Sequence, residues 1–164
     1  MTTYVFEKVT AENEQEALSV YLSNKAYFSL TGHTASKESL KHDMSAKPDS
    51  VPMDRKKFYI VRRGTELVGV IDYLLGYPSE KAVYVGLLLI KEKGKGHGRA
   101  IVDDLTREFL KDQYTLLALS VLENNAGAHR FWEKVGFRKV STAVTEVSGK
   151  EVSVDYYEKS LVEK

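Results

Sequence analysis

The sequence lacks cysteine altogether. This absence excludes disulfide frameworks, cysteine zinc sites, iron–sulfur clusters and cysteine nucleophiles. The sequence also lacks an excess of charge, because 24 Lys and Arg residues face 23 Asp and Glu residues. Non-specific nucleic-acid binding needs a strong basic excess, so we expect no nucleic-acid partner. No apolar run approaches the ~20 residues of a membrane span, and residues 1–8 contain no signal-peptide apolar segment. We therefore expect a soluble cytoplasmic protein without a membrane partner.

Proline is scarce, with 3 residues in the chain, and no repeat or low-complexity segment divides it. The longest loop-like stretch, residues 45–55, is too short and isolated to separate two domains. A chain of 164 residues with 43% hydrophobic residues has the size and composition of one globular domain. We predict a single domain over residues 1–164.

Hydrophobic periodicity predicts eleven elements in the order β-α-α-β-β-β-α-β-α-β-β. Helices are predicted over residues 13–24, 36–46, 98–111 and 125–135. Strands are predicted over residues 4–9, 57–63, 67–75, 82–90 and 115–121, followed by a closing hairpin of residues 140–147 and 151–159. Two strand–helix–strand passages flank antiparallel hairpins, which indicates a mixed sheet with helices on both faces.

Three glycines, Gly94, Gly96 and Gly98, alternate between the strand ending at residue 90 and the helix that follows. Backbone N–H groups exposed there, together with the helix N-terminus, favour an anion site for phosphate or pyrophosphate. Cations would oppose the helix dipole unless an anion binds, and four crowd this segment: Lys91, Lys93, Lys95 and Arg99. The alternative is a solvated basic loop. The spacing fits neither a P-loop nor a dinucleotide-binding fingerprint.

Lys93-x-x-Gly96-x-Gly98 resembles the Gln/Arg-x-x-Gly-x-Gly/Ala loop of the GNAT acyl-CoA-dependent N-acetyltransferases, with Lys93 in place of Gln or Arg. Beyond the next strand, a second segment resembles another block of that family: Asn125-x-x-Ala128-x-x-Phe131-Trp132-x-x-x-Gly136-Phe137. The element order matches over nearly the whole chain. The resemblance implies an α/β GNAT-like fold with a mixed, mostly antiparallel central sheet, splayed between strands 4 and 5, and helices on both faces.

The resemblance also implies an acetyl-CoA site, in which the pantetheine arm lies in the gap and pairs with strand 4. Gly86 would offer its N–H to the thioester carbonyl, and Leu88 would pair with the pantetheine amides. The residues implied to contact the cofactor are Leu88, Ile90, Lys93, Gly94, Lys95, Gly96, His97, Gly98, Arg99, Asn125 and Trp132. Asn125 has an alternative or additional role as the N-cap of the following helix.

Trp132 departs from the family pattern, since many relatives carry a Tyr whose hydroxyl can protonate the leaving thiolate. An indole N–H cannot serve as that acid. Trp132 belongs either to the core, on a stripe with Ala128 and Val135, or to the wall of the acyl-CoA tunnel. Water or another group would then protonate the thiolate.

The general base is a second departure, because Ala82 stands where some relatives place a Glu. Asp72 interrupts an apolar strand, and a hairpin turning about Pro78 would put it opposite Tyr84 and near Gly86. We therefore expect Asp72 to be the base, with Glu123 as the second candidate. The alternative for Asp72 is a structural carboxylate that accepts hydrogen bonds.

The acceptor pocket is expected between Tyr27 and Phe28 on one side and Tyr73 and Tyr77 on the other, with Tyr84 also in contact with the substrate. Tyr27 and Phe28 have the alternative of core packing. His33 and His42 have no companion ligands at metal-site spacing, so we expect no metal.

These features predict an N-acetyltransferase that moves an acetyl group from acetyl-CoA directly to the amine of a small molecule. Direct transfer is expected because the chain has no cysteine and no Ser-His-Asp pattern for a covalent acyl-enzyme. The expected protein is a monomer or homodimer. The alternatives are a protein or peptide amine acetyltransferase and a non-catalytic acyl-CoA-binding domain.

Overall fold

A computed structural model of the chain describes residues 3–147 and 150–162. The strands are β1 (Tyr4–Lys8), β2 (Lys56–Arg63), β3 (Glu66–Leu75), β4 (Ala82–Ile90), β5 (Leu116–Leu122), β6 (Arg138–Val147) and β7 (Lys150–Ser160). The helices are α1 (Glu14–Leu22), α2 (Lys25–Ser29), α3 (Lys37–Ser45), α4 (His97–Lys111) and α5 (Ala126–Val135), and a 3₁₀ turn spans Met53–Arg55.

The strands form one seven-stranded sheet in the order β1-β2-β3-β4-β5-β7-β6. The neighbours are antiparallel except for β4 and β5, which are parallel. β4 and β5 pair only from Ala82 opposite Leu116 to Val85 opposite Leu119. Beyond Val85 the two strands diverge, so the predicted mixed, mostly antiparallel sheet with a splay between strands 4 and 5 is confirmed.

Alternate residues of each strand point to opposite faces of the sheet, and both faces carry apolar side chains. Helices therefore pack on both faces. One buried cluster joins the sheet to α4 and α5, and we call it the α4–α5 core; Ile101, Phe109 and Trp132 are members. The other joins the sheet to α1, α2 and α3, and we call it the α1–α3 core; Tyr21 and Leu40 are members. The two cores lie back to back across the strands.

The predicted elements are present with small shifts at their ends, but α2 was not predicted. This helix has five residues, which is too short to show a helical period. Ser36 caps α3, since its Oγ accepts a hydrogen bond from the Ser39 N–H at 3.1 Å. Ser148 and Gly149 of the predicted closing turn lie outside the described residues. Within the described part of the chain, no helix is both long and apolar enough to cross a membrane.

Candidate active site

A β-bulge at Gly86 lies where β4 leaves β5. Asp72 pairs with Leu87 and Tyr73 pairs with Val85, so Gly86 is the extra residue between them. The ladder between β4 and β5 ends at Val85 and gives Gly86 no partner there either. A bulge of this kind interrupts the ladder and leaves backbone groups for other partners. Leu88 and Ile90 also lie beyond the β4–β5 ladder, and the Ile90 carbonyl accepts a hydrogen bond from Asn24 Nδ2 at 3.1 Å.

The expected pairing of Asp72 with Tyr84 is wrong, because Leu74 lies opposite Tyr84. The turn is shifted relative to Pro78, since the N–H groups of Gly76 and Tyr77 both donate to the carbonyl of Ala82. The bulge at Gly86 then shifts the pairing of β3 with β4 by one more residue. Neither the position of the turn nor the bulge is visible as periodicity in the sequence.

The carboxyl group of Asp72 nevertheless lies directly beside Gly86. Its Oδ2 is 3.0 Å from the position that a Cβ on residue 86 would occupy. A larger residue would press against the carboxylate, which gives the glycine a role besides admitting the acyl group. Asp72 therefore lies near Gly86 as predicted, but through a different strand register.

Asp72 is buried, and its partner is Lys56, which was not predicted as a site residue. Lys56 Nζ lies 2.9 Å from each carboxyl oxygen of Asp72 and 2.7 Å from the carbonyl oxygen of Ala46. Burial raises the pKa of Asp72 to about 6, and the Lys56 ammonium opposes that rise. The alternation of β2 contained a signal for this residue, because Lys56 shares a face with the buried Phe58 and Ile60.

A second acid, Asp43, is partly buried on the same side of the sheet. Asp43 of α3 accepts a hydrogen bond from the Tyr21 hydroxyl at 2.7 Å. Burial raises the pKa of Asp43, and the hydrogen bond from Tyr21 acts against that rise. Tyr27 is partly buried nearby, and burial raises the pKa of its hydroxyl to about 12. These tyrosines therefore stay protonated near neutral pH.

Tyr77 and Tyr84 come together in a cavity of about 310 Å³ on the same side of the sheet. Their ring centroids are 5.4 Å apart, edge to face. We call this cavity the tyrosine pocket; its lining residues carry no formal charge and are Tyr77, Pro78, Tyr84, Ser120, Ala143, Val144, Thr145, Val154 and Tyr156. The part contributed by β6 and β7 was not predicted from the sequence.

Tyr73 and Phe28 do not join this pocket. Tyr73 belongs to the α4–α5 core on the other side of the sheet, where its ring lies 5.1 Å from that of Phe109. Its expected place in the acceptor wall is therefore wrong, since neighbouring strand residues point to opposite faces. Phe28 is 7% exposed and stacks on Tyr21 at 4.9 Å, so it follows the core alternative.

Glu123 lies apart from Asp72, just beyond the end of β5. It is exposed and lines a groove of about 290 Å³ with Leu30, Asn124 and Ser153, among others. Its backbone N–H donates to the carbonyl of Ser153 at 3.0 Å. The structure thus brings Asp72 and Gly86 together and leaves Glu123 in a different groove.

The glycine loop after β4 has the backbone that an anion site requires. Gly94 and Gly96 adopt left-handed conformations with φ of +83° and +78°, and Lys93, Lys95 and Arg99 are exposed beside them. Gly98 is buried against α5, because a Cβ there would lie 3.0 Å from Phe131 Cζ. The first two glycines shape the loop, whereas the third allows α4 to approach α5.

His97 turns its side chain away from this exposed loop. It is 3% exposed, its Nδ1 lies 2.8 Å from the Tyr4 hydroxyl, and its Nε2 lies 3.8 Å from Glu66 Oε2. A ligand on the loop would therefore meet the backbone of His97 rather than its ring.

Asn125 is the N-cap of α5, and Trp132 lies in the C-terminal half of that helix. The Oδ1 of Asn125 accepts a hydrogen bond from the Ala128 N–H at 3.2 Å, which is the predicted N-cap. Trp132 is 9% exposed and packs edge-on against Phe131 and Phe137, with centroids at 4.8 and 5.1 Å. This is the core packing that the apolar stripe of the helix indicated.

Among the described residues, no cluster of His, Asp and Glu could hold a metal ion.

The splayed mixed sheet and the glycine loop at the start of α4 match the acetyltransferase fold that the sequence resemblance implied. The sequence model of the Acetyltransferase (GNAT) family matches residues 19–137, so the chain belongs to this family. A comparison with curated protein sequences finds no match.

Solved structures show the same architecture over nearly the whole chain. An acetyltransferase from Thermus thermophilus is 25% identical with a TM-score of 0.74, covering 96% of this chain and 97% of that one. A Bacillus subtilis acetyltransferase in complex with CoA is 15% identical with a TM-score of 0.62, covering 99% and 100%. The ribosomal-protein-S18-alanine N-acetyltransferase from Escherichia coli is 11% identical with a TM-score of 0.64, covering 99% and 96%.

Proposed function

We propose that the protein transfers an acetyl group from acetyl-CoA directly to the amine of a small molecule. The observation that carries this proposal is the bulge at Gly86, an exposed residue without a ladder partner where β4 leaves β5, with the Asp72 carboxyl beside it. Acetyl-CoA would supply the activated acetyl thioester, and the chain would supply the groups that hold it and move the proton.

The residues after Gly86 suit the cofactor. The edge of β4 at Leu88 and Ile90, beyond its pairing with β5, would hold the pantetheine amides. The backbone N–H groups from Gly94 to Arg99, with the Lys93, Lys95 and Arg99 side chains, would hold the pyrophosphate. The N-cap bond of Asn125 uses Oδ1, so its Nδ2 group is the part that would donate to a pantetheine carbonyl. The similar fold of a Bacillus subtilis acetyltransferase in complex with CoA supports this assignment.

Gly86 and Asp72 would share the chemical step. The Gly86 N–H would donate to the acyl carbonyl oxygen and stabilise the negative charge that develops there. The Asp72 carboxylate would take a proton from the acceptor ammonium, which makes the nitrogen nucleophilic. A pKa of about 6 suits this task near neutral pH, because the carboxylate is then charged but remains a useful base.

The tyrosine pocket would hold the body of the acceptor. Tyr84 stands two residues before Gly86 on β4, so the pocket begins beside the reacting position. A cavity of about 310 Å³ lined by aromatic rings and hydroxyl groups fits a small molecule. Trp132 would contribute shape rather than a proton, and water or another group would protonate the departing thiolate.

Calorimetry with CoA and acetyl-CoA, followed by thiol detection over a panel of amines, tests the proposal. We expect CoA binding and thiol release with small-molecule amines but not with peptide N-termini or protein lysines. Turnover confined to peptides or proteins would contradict the small-molecule acceptor. Tight CoA binding without turnover on any amine would indicate a non-catalytic acyl-CoA-binding domain.

A further inference from the structure

A buried lysine stands behind the proposed base. The side chain of Lys56 is 2% exposed, and its Nζ contacts both carboxyl oxygens of Asp72 at 2.9 Å. Lys56 pairs with Leu74 and Phe58 pairs with Asp72, so the ion pair runs diagonally between β2 and β3. The same carboxyl group approaches Gly86 through Oδ2.

A third contact fixes the ammonium independently of Asp72. Lys56 Nζ donates to the carbonyl oxygen of Ala46 at 2.7 Å, at the C-cap of α3. An ammonium has three N–H donors, and here they serve one backbone carbonyl and one carboxylate. A buried ion pair adds little to the free energy of unfolding, because the cost of removing both charges from water offsets much of their attraction. The pair therefore calls for a role other than holding the fold together.

We propose that Lys56 is a positioning residue, which holds the Asp72 carboxylate against Gly86 and stabilises its charged, proton-accepting form. This inference rests on the proposed role of Asp72 as the base.

The other titratable groups around Asp72 cannot replace Lys56. Burial and the charge of Asp43 both favour the protonated form of Asp72. Tyr21, Tyr27 and Tyr84 stay uncharged near neutral pH, because burial raises their pKa values. His33 and His42 act on Asp43 and do not contribute to the shift at Asp72. Lys56 is the cation in direct contact with the carboxylate.

Replacing Lys56 with Met tests the inference through the pH dependence of kcat and kcat/KM. We expect the acidic limb to move upward by about one pH unit or more, since burial is then unopposed. Turnover at pH 7 should fall about twofold for a shift of one unit and about tenfold for a shift of two, and it should recover at higher pH. The KM for acetyl-CoA should change less than about threefold, because Lys56 lies on the acceptor side. Lys57→Met is the matched control, since it removes the same charge one residue away on the other face of β2.

If the acidic limb of the pH–rate profile has the same midpoint in Lys56→Met as in the unaltered protein, the inference is wrong. If that variant does not fold by circular dichroism, Lys56→Gln keeps a hydrogen-bond donor without the charge, and the same shift is expected. In the unaltered protein, carbon-13 and nitrogen-15 NMR should show the Asp72 carboxyl and the Lys56 ammonium responding at one common midpoint. A Lys56 signal that ignores the titration of Asp72 would also overturn it.

Asp72→Asn separates this inference from the proposed function. If Asp72→Asn keeps the acidic limb, the proposed base is wrong. If Asp72→Asn removes the limb while Lys56→Met leaves it unmoved, Asp72 is the base and only the role of Lys56 fails.

Discussion

The two sides of the sheet differ in the buried side chains closest to the bulge. On the α4–α5 side, Val83, Val85 and Trp132 form a continuous apolar layer. On the α1–α3 side, the apolar cluster is interrupted by Asp72 and Lys56, with Asp43 hydrogen-bonded to Tyr21. Charged groups are seldom buried unless they are paired. The difference supports the proposal that the α4–α5 side mainly stabilises the fold, whereas the α1–α3 side buries charged groups that take part in the reaction.

This comparison predicts how substitutions divide. Changes on the α1–α3 side near Gly86 should alter turnover and its pH dependence. Changes on the α4–α5 side should alter the free energy of unfolding, and changes in the glycine loop should alter CoA affinity. A substitution on one side of the sheet that produces the effect expected of the other side would contradict this division.

The largest effect is expected for Asp72→Asn, which keeps the size of the side chain but cannot accept the proton. Turnover should fall about 10²–10⁴-fold, the usual span for a general base, with CoA affinity unchanged. In the unaltered protein, activity should rise with pH through a midpoint near the Asp72 pKa of about 6. The variant should lose this acidic limb in a pH–rate profile.

Asp155→Asn is the matched control, because Asp155 is also buried but is held by Thr142 and Lys139 on the β6–β7 hairpin. The control should keep the acidic limb. If Asp72→Asn keeps both the limb and most of the turnover, deprotonation belongs to Glu123, a water chain or bulk solvent.

Trp132→Ala should give the largest loss of stability. Trp132 is 9% exposed between Phe131 and Phe137, and truncating a buried Trp lowers the free energy of unfolding by about 3–5 kcal/mol. CoA affinity should fall as well. Denaturant unfolding measures the first effect and calorimetry the second.

Trp132→Phe should keep most of the turnover, because it largely preserves the shape of the packed side chain. A hundredfold loss of turnover in Trp132→Phe with normal CoA binding would contradict a role limited to packing.

The burial of Asp72 also predicts a pH-dependent contribution to stability. Its pKa is about 6 in the folded chain against an ordinary value of 3.8, so the folded state binds more protons between these values. The stability from this group is full below pH 3.8 and is lost as the pH rises through 6. From pH 4.5 to 7.5, we expect the protein to lose about 2 kcal/mol relative to Asp72→Asn.

Urea unfolding of both proteins at several pH values measures this difference. A difference that is constant with pH would contradict the shifted pKa. A difference that grows in the opposite direction would mean that the ion pair with Lys56 outweighs burial.

Gly96→Asp should lower CoA affinity at least about tenfold, since it places a negative charge where the pyrophosphate is expected. Calorimetry measures the affinity. Gly64→Asp is a matched control, because Gly64 also has a left-handed φ, +62°, and open space around it, but lies in the β2–β3 turn. Unchanged affinity in a folded Gly96→Asp variant would contradict the anion site.

The parts of the fold and site that were predictable from the sequence depend on local patterns. Gly94, Gly96, the cap at Asn125 and the helical stripe through Trp132 are encoded within a few residues. They were predicted because backbone conformation and periodicity act over that distance.

The parts that were missed depend on contacts between distant segments. The partner of Tyr84 follows from the position of the β3–β4 turn and the bulge at Gly86, and neither changes the hydrophobic pattern. Lys56 reaches Asp72 from the neighbouring strand, 16 residues away in the sequence. A strand that begins with two lysines does not reveal which one is buried. Tyr73 was assigned to the wrong side for a related reason, because one residue of offset exchanges the faces of a strand.

The bulge at Gly86 also limits how this strand can change length. Val83 and Val85 belong to the α4–α5 core, whereas Leu87 and Leu89 belong to the α1–α3 core. This parity change exists only because one extra residue is accommodated at Gly86. A one-residue deletion in β4 before Leu87 would either turn the following leucines to the wrong side of the sheet or restore a regular ladder and remove the bulge. We therefore expect insertions and deletions in related sequences to occur in the turns around β4 and to be rare within the strand itself.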